Sequence, residues 1–252
     1  MELDLKVLPT AALAADAAAR AFVAAASAAI RSRGEFVVAL SGGATPRGMY
    51  ARLAAEPLAS GLDWSCVQVV WGDERCVPPD HEASNYRMAR EALLDRVRVP
   101  EANVHRIHGE DDPVAAAGVY ERVLRRVLRT PRGPPRESPG ARMDLILLGL
   151  GDDGHTASLF PSLAAARDRT AWVRAAYVPA VSAWRVTLTP LVINAASEVA
   201  FLVSGAAKAR IVQRVLEDPR RPNELPAQLI APAAGRVVWY LDAAAAAELR
   251  GG

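Results

Sequence analysis

Four apolar runs in this chain each end in a loop rich in glycine, hydroxyl and charged side chains, and that recurrence constrains the fold more than any single motif. Glu35–Leu40 leads into Ser41-Gly42-Gly43-Ala44-Thr45-Pro46, and Val67–Trp71 into Gly72-Asp73-Glu74-Arg75. Leu145–Gly149 leads into Leu150-Gly151-Asp152-Asp153-Gly154-His155-Thr156, and Val199–Val203 into Ser204-Gly205-Ala206-Ala207-Lys208. In an open parallel sheet with helical crossovers, the loops at the carboxyl ends of the strands line the ligand crevice. The four loops are therefore expected to converge, setting glycines beside an anion, cations to neutralise it and a carboxylate–histidine pair for proton transfer. Such a set suits a phosphorylated small molecule.

Between these runs, strand and helix signals alternate. Leu3–Val7 reads as a short strand before an alanine-rich helix over Ala11–Ser32, which Arg33-Gly34 ends. Pro46 suits the first turn of a helix to about Glu56, and Ser84 can cap another through Asp95. Val104–Ile107 reads as a short strand. Asp112-Pro113 opens a helix to about Arg129, with Val119, Val123, Leu124, Val127 and Leu128 on its apolar face. Trp172–Val178 and Arg185–Thr189 are further strands. A helix through Glu217 follows Lys208, and Arg236–Leu241 is a last strand before a closing alanine helix. The expectation is an α/β chain with a three-layer αβα arrangement around a mainly parallel, doubly wound sheet. Residues 1–252 are read as one domain, and the Pro/Arg/Gly-rich Thr130–Arg142 segment as a flexible surface loop within it.

Composition removes several classes. An apolar fraction of 51% supports a full core, and a net charge of +2 makes no case for nucleic acid. Asp16 and Arg20 interrupt the Ala11–Ile30 stretch, which lacks the leucine-rich continuity of a membrane span. No nucleic-acid or membrane partner is expected, the location is read as cytoplasmic, and the chain as a monomer. Cys66 opens a predicted buried strand, which disfavours a disulfide with Cys76. The four histidines show no ligand spacing with cysteine or carboxylate that would make a metal site.

The loops carry the chemistry. Gly42 and Gly43 let backbone approach an anion, the following helix start offers unpaired N–H groups, and Thr45 adds a hydroxyl. The loop has neither of the glycine spacings of nucleotide binders; an ordinary strand–helix turn uses the same residues. Asp73 and Arg75 are the first residues to emerge after a core-like strand, where arginine suits bidentate anion contact or developing negative charge. His155 follows an acidic neighbour, Asp153, by two positions, so a carboxylate can orient an imidazole poised to take a proton from water. A structural histidine capping the next helix is the bland alternative. His81, His105 and His108 read as surface or loop residues. Only Lys6 and Lys208 among the 30 basic residues are lysine; Lys208, after a Ser-Gly turn, could meet a phosphate with a compact ammonium. Arg185 at the start of an apolar strand needs an anion, either an internal carboxylate or the ligand phosphate.

Together, Ser41–Pro46, Trp71–Arg75, Ser84-Asn85-Tyr86, Gly149–Pro161 and Arg185–Pro190 resemble the 6-phosphogluconolactonase family, in order from about residue 35 to residue 217. The Asp153–Pro161 stretch is the specific part. The resemblance implies a mainly parallel α/β fold related to glucosamine-6-phosphate deaminase and no metal, nucleotide or other cofactor. It further implies hydrolysis of 6-phospho-D-glucono-1,5-lactone, a sugar phosphate lactone, to 6-phospho-D-gluconate in the pentose phosphate pathway. Carried over by position, Gly42, Gly43, Thr45, Arg185 and Lys208 would hold the phosphate. His155 would be the general base, Asp153 and Asp73 would orient it or the sugar hydroxyls, and Arg75 would face the phosphate or the reacting carbonyl.

Two other classes compete. The related deaminases carry a glutamate where this chain has Phe160 and a tyrosine where it has Arg75, so both positions favour the lactonase. A non-catalytic sugar-phosphate sensor on the same fold needs an output module, for which the strand beginning at Leu3 is expected to leave no room.

Overall fold

Helix α1, Ala11–Arg33, starts where the Thr10 hydroxyl accepts from the Leu13 N–H and ends at Gly34, whose φ of 81° glycine adopts without a Cβ clash. It buries Ala14, Ala15, Ala18, Ala19, Phe22, Ala26 and Ala29. By length and composition this helix could cross a bilayer, but its small-residue face is packed against neighbouring elements of the chain. Small side chains there allow close approach of backbone to backbone, and Phe22 fills the remaining space with an edge-on contact to Phe36 at 5.3 Å. This computed structural model describes residues 3–129 and 142–250, so the expected loop over Thr130–Arg142 lies outside the described residues save for Arg142.

Six strands form one parallel sheet: β1 (Leu3–Leu8), β2 (Phe36–Leu40), β3 (Val67–Trp71), β5 (Leu145–Leu148), β8 (Glu198–Val203) and β9 (Arg236–Asp242), in the order β1-β9-β8-β5-β2-β3. The central strands are buried along their length, as unbroken apolar runs require when both faces are covered. Helices α2 (Ala44–Leu53), α3 (Asn85–Ala89), α4 (Pro113–Val127), α5 (Pro190–Ile193) and α6 (Ala209–Glu217) lie between the strands in sequence. The chain thus forms the α/β arrangement with a mainly parallel sheet that the alternation predicts. The four loops of interest follow β3, β2, β5 and β8, which are consecutive neighbours in the sheet, with the strand order reversing at β2 and β5. That reversal opens the crevice.

Three further strands, β4 (Asp73–Arg75), β6 (Val173–Val178) and β7 (Ala183–Leu188), make a separate antiparallel sheet in the order β4-β7-β6. Gly72 is the bridge: its N–H donates to the Leu40 carbonyl at 2.9 Å and its carbonyl accepts from Leu188 at 2.8 Å. Asp73–Arg75, expected to be loop, is therefore a strand paired with Arg185–Thr187.

Other expectations shift. Val104–Ile107 is reduced to one bridge from Val104 to Val69, because a short 3-10 turn at Glu101–Asn103 feeds it. The helix after Ser84 widens into a π turn at Arg90–Leu94. Helix α4 buries Ala116, Ala117, Tyr120 and Leu124 and leaves Val119 exposed, since tyrosine and small residues, not the valine row, face the sheet. The closing alanine segment after Asp242 forms successive turns, not a helix.

Two tyrosines perform one task on two strands. The Tyr50 hydroxyl accepts from the Ser41 N–H and donates to the Ser41 carbonyl, both at 2.9 Å. The Tyr120 hydroxyl treats the Trp71 N–H and carbonyl the same way, at 2.6 and 2.9 Å. Each phenol satisfies both backbone groups of a residue at the carboxyl end of a strand. Burial pushes both phenols well above the usual tyrosine range, so they stay protonated.

Candidate active site

The β5 loop builds the acid–base group. The His155 N–H donates to Asp153 Oδ1 at 3.1 Å, and the ring Nδ1 lies 2.5 Å from the same oxygen. Nδ1 thus carries a proton towards the carboxylate, and Nε2 has no protein partner among the described residues. The loop closes on itself through Gly151 N–H to His155 carbonyl at 2.8 Å and the Thr156 hydroxyl to Gly149 carbonyl at 2.8 Å. Gly154, at φ 81°, supplies the left-handed turn. Phe160 stacks on the imidazole at 3.9 Å and 25°, fixing its plane. Burial pushes the Asp153 carboxyl up, but hydrogen bonds from the His155 ring and backbone and the histidine's charge outweigh it, leaving the group below the usual aspartate range.

Gly151 has a role that sequence reasoning missed. A Cβ there would sit 2.0 Å from His155 Nδ1 and 2.1 Å from its Cε1. The imidazole lies flat on this glycine, so a side chain at 151 and a bound His155–Asp153 pair exclude each other. A glycine four residues before the histidine was the available signal.

The β2 loop and the β8 loop meet in the same cavity wall. Thr45 Oγ1 and Ser204 Oγ are 2.8 Å apart. Gly43 has φ 111°, and a Cβ on Gly42 would collide with Asn85 Oδ1 at 1.8 Å. Both glycines are therefore required by geometry, not composition. Lys208 Nζ donates to the Leu150 carbonyl at 2.7 Å and to Asp152 at 2.5 Å. Ser41, unassigned by sequence, is 4% exposed, and its hydroxyl has no hydrogen-bond partner, though it lines the cavity. Buried hydroxyls normally find a partner, and this one finds none among the described residues.

The small sheet brings the charges. Asp73, 8% exposed, accepts from Ser158 Oγ at 2.7 Å and from Asn85 Nδ2 at 3.3 Å. Glu74 does not face the cavity. Its carboxylate accepts from the N–H groups of Arg75, Asn85 and Tyr86 and from the Ser84 hydroxyl, and burial raises its pKa despite those bonds. It fixes the 84–86 turn that presents Asn85. Arg75 Nη1 donates to the Ala83 carbonyl at 2.6 Å, and Arg185 pairs directly across the ladder from Arg75. Neither guanidinium has a carboxylate within 4.0 Å among the described residues. Burial, then the neighbouring Arg75 charge, depresses the Arg185 pKa.

One cavity of about 330 Å³ gathers these groups, of a size that suits a small metabolite. Its wall includes Gly42, Gly43, Thr45, Asp73, Arg75, His155 and Lys208. Asp153 is outside the wall and acts through the imidazole it holds. Arg185 is also outside the wall, beside Arg75 across the ladder, so it is not a lining residue of this cavity. Among the described residues no cluster of metal-ligating side chains occurs, and Cys66 and Cys76 are free thiols.

Comparison with known proteins adds to this geometry. Residues 9–239 match the family model described as glucosamine-6-phosphate isomerases/6-phosphogluconolactonase. A 6-phosphogluconolactonase of Nostoc sp. is 41% identical over 222 residues, covering 88% of each chain. The solved 6-phosphogluconolactonase of Trypanosoma cruzi superposes with a TM-score of 0.86 at 30% identity, over 98% of this chain and 97% of that one. A monomeric glucosamine-6-phosphate deaminase shares the fold, with a TM-score of 0.79 at 21% identity over 97% of this chain and 99% of that one.

Proposed function

Since this chain belongs to the glucosamine-6-phosphate isomerase/6-phosphogluconolactonase family, we propose that it is a 6-phosphogluconolactonase, hydrolysing 6-phospho-D-glucono-1,5-lactone to 6-phospho-D-gluconate. The observation that carries the reading is that His155, held by Asp153, lines one cavity together with the glycine loop and Lys208. Phe160 on the imidazole supports hydrolysis over deamination, since no carboxylate stands there to relay a second proton.

In this reading the phosphate lies against Gly42, Gly43, Thr45 and the Lys208 ammonium, and the lactone carbonyl comes to rest between His155 and Arg75. Fixing one end of the substrate fixes the other, which converts binding into orientation. Water attacks C1, and its proton passes to Nε2 of His155. Asp153 keeps the proton on Nδ1 and stabilises the imidazolium. The former carbonyl oxygen becomes an oxyanion, and Arg75, with no carboxylate partner among the described residues, receives that charge. As the tetrahedral intermediate collapses, the C1–ring-oxygen bond breaks and the imidazolium returns its proton to the ring oxygen. The carboxylic acid formed then ionises and releases one proton to solvent. Asp73, held by Ser158 and Asn85, is placed to accept from sugar hydroxyls.

The test is a coupled assay with freshly generated 6-phosphogluconolactone, corrected for spontaneous hydrolysis, with ammonia release from glucosamine-6-phosphate followed in parallel. Accelerated lactone opening without ammonia is expected. Ammonia release, or ligand-stabilised melting with no turnover, would refute the lactonase reading.

A further inference from the structure

Asp152 and Asp153 are adjacent in sequence but hold two different groups of the cavity wall. Asp153 holds the imidazole, and Asp152 holds the Lys208 ammonium at 2.5 Å. An ammonium has three N–H donors. One is fixed on the Leu150 carbonyl at 2.7 Å and a second goes to Asp152. The Asp152 side chain is 83% exposed and that of Lys208 26%. Lys208 forms part of the cavity wall and Asp152 does not. Among the described residues the Asp152 carboxylate has no other partner.

These facts separate an anchor from a placeholder. The Leu150 carbonyl positions the ammonium from inside the fold, whereas Asp152 reaches it from solvent. An exposed lysine–carboxylate pair contributes little to stability, so exchanging the carboxylate for another anion is easy. A phosphate monoester carries a charge of about −1.5 to −2 near neutral pH and would meet the Asp152 charge at one ammonium. The two anions repel each other there, and the more highly charged one holds the ammonium better.

We propose that Asp152 stands in for the substrate phosphate. It occupies Lys208 in the empty site, swings into solvent when the phosphate end of the lactone arrives, and so sets the affinity that this end can yield. Neutral and singly charged molecules displace it poorly, and a dianion displaces it well. Asp152 is in this sense a positioning residue that sharpens selectivity for phosphorylated substrate. The inference rests on Lys208 being the phosphate ligand.

Steady-state kinetics on phosphorylated and unphosphorylated gluconolactone tests it, with the parent, Asp152→Asn, Asp152→Glu and Lys208→Ala. Asparagine keeps the shape and removes the charge. It is expected to lower KM for the phosphorylated lactone by about three- to tenfold, the effect of removing one solvent-screened charge a few ångströms from the anion. The change in kcat should be smaller than that in KM, and KM for the unphosphorylated lactone should not move. Inorganic phosphate should inhibit the asparagine variant at correspondingly lower concentration, while the glutamate variant follows the parent. An unchanged or raised KM in Asp152→Asn overturns the proposal. If Lys208→Ala weakens both lactones equally, the phosphate assignment itself falls. If Lys208→Ala is selective while Asp152→Asn is silent, only the placeholder role falls.

Discussion

The two sheets contribute to the cavity by different means. The six-stranded parallel sheet delivers its groups on the loops beyond its strands: Gly42 and Gly43 after β2, Gly151 and His155 after β5, and Ser204 and Lys208 after β8. The three-stranded antiparallel sheet delivers charge: Asp73 and Arg75 from β4, backed by Arg185 from β7. One sets glycines where a side chain would not fit and hangs His155 and Lys208 on the same loops, and the other holds Asp73 and Arg75 on the strand itself. Shape is tolerant of pH and salt, and charge is not. An enzyme that must hold a phosphate yet respond to a developing oxyanion needs both.

Substitutions can break this division, beginning with the largest effect. His155→Ala should fold normally and lose roughly two to four orders of magnitude in kcat; near-parental turnover would remove His155 from the mechanism. Gly151→Ala tests whether shape alone matters. The added carbon takes the place of the ring, so the imidazole must leave Asp153, and a loss of about a hundredfold in kcat is expected from such misplacement. If kcat in Gly151→Ala stays near the parent's, the ring is not held where it is needed.

Arg185→Ala probes the charged sheet. Like charges directly opposite in a ladder are unfavourable by about 0.2–1 kcal/mol. The variant should therefore melt at the parental temperature or slightly above, while KM for the phosphorylated lactone rises a few-fold through the lost field. A large fall in melting temperature would mean that Arg185 holds the fold together.

The smallest effect lies in acid stability, where the two regions should respond in opposite senses. Asp153 has a depressed pKa, so its contribution is present above the ordinary aspartate value of 3.8 and is lost as pH falls through the lower folded value. Glu74 has a raised pKa, so its contribution is fullest below the ordinary glutamate value of 4.5 and is lost as pH rises through the higher folded value. Melting curves of Asp153→Asn and Glu74→Gln between about pH 3 and pH 7 should remove slopes of opposite sign. Two slopes of the same sign would contradict the environments described for these carboxylates.

The same division explains what could be read from sequence. The parallel sheet is legible because buried parallel strands are unbroken apolar runs and their loops carry glycine and hydroxyl residues. The antiparallel sheet is not. Asp73–Arg75 is three charged residues with no alternation to betray a strand, and its partner lies beyond residue 180. Strand signals at 172–178 and 185–189 were visible, but nothing local states which sheet they join. In the site, the His155–Asp153 spacing and the isolated Lys208 were legible as chemistry. Ser41, Gly151 and the Ser158–Asp73 bond were not, because each acquires its meaning from surroundings assembled only by folding. Arg185 shows the converse. Its sequence position asks for an internal carboxylate or a ligand phosphate, and the structure sets it beside Arg75 with no carboxylate within 4.0 Å among the described residues.

The paired phenols at the strand ends have a consequence for how such a scaffold can change. With Tyr50 clasping both polar atoms of Ser41, and Tyr120 those of Trp71, two loops take off from points clamped independently of what the loops contain. Residues beyond the clamp can be exchanged, lengthened or recharged without loosening the strands that precede them. New chemistry can then be tried at the rim at little risk to the frame beneath.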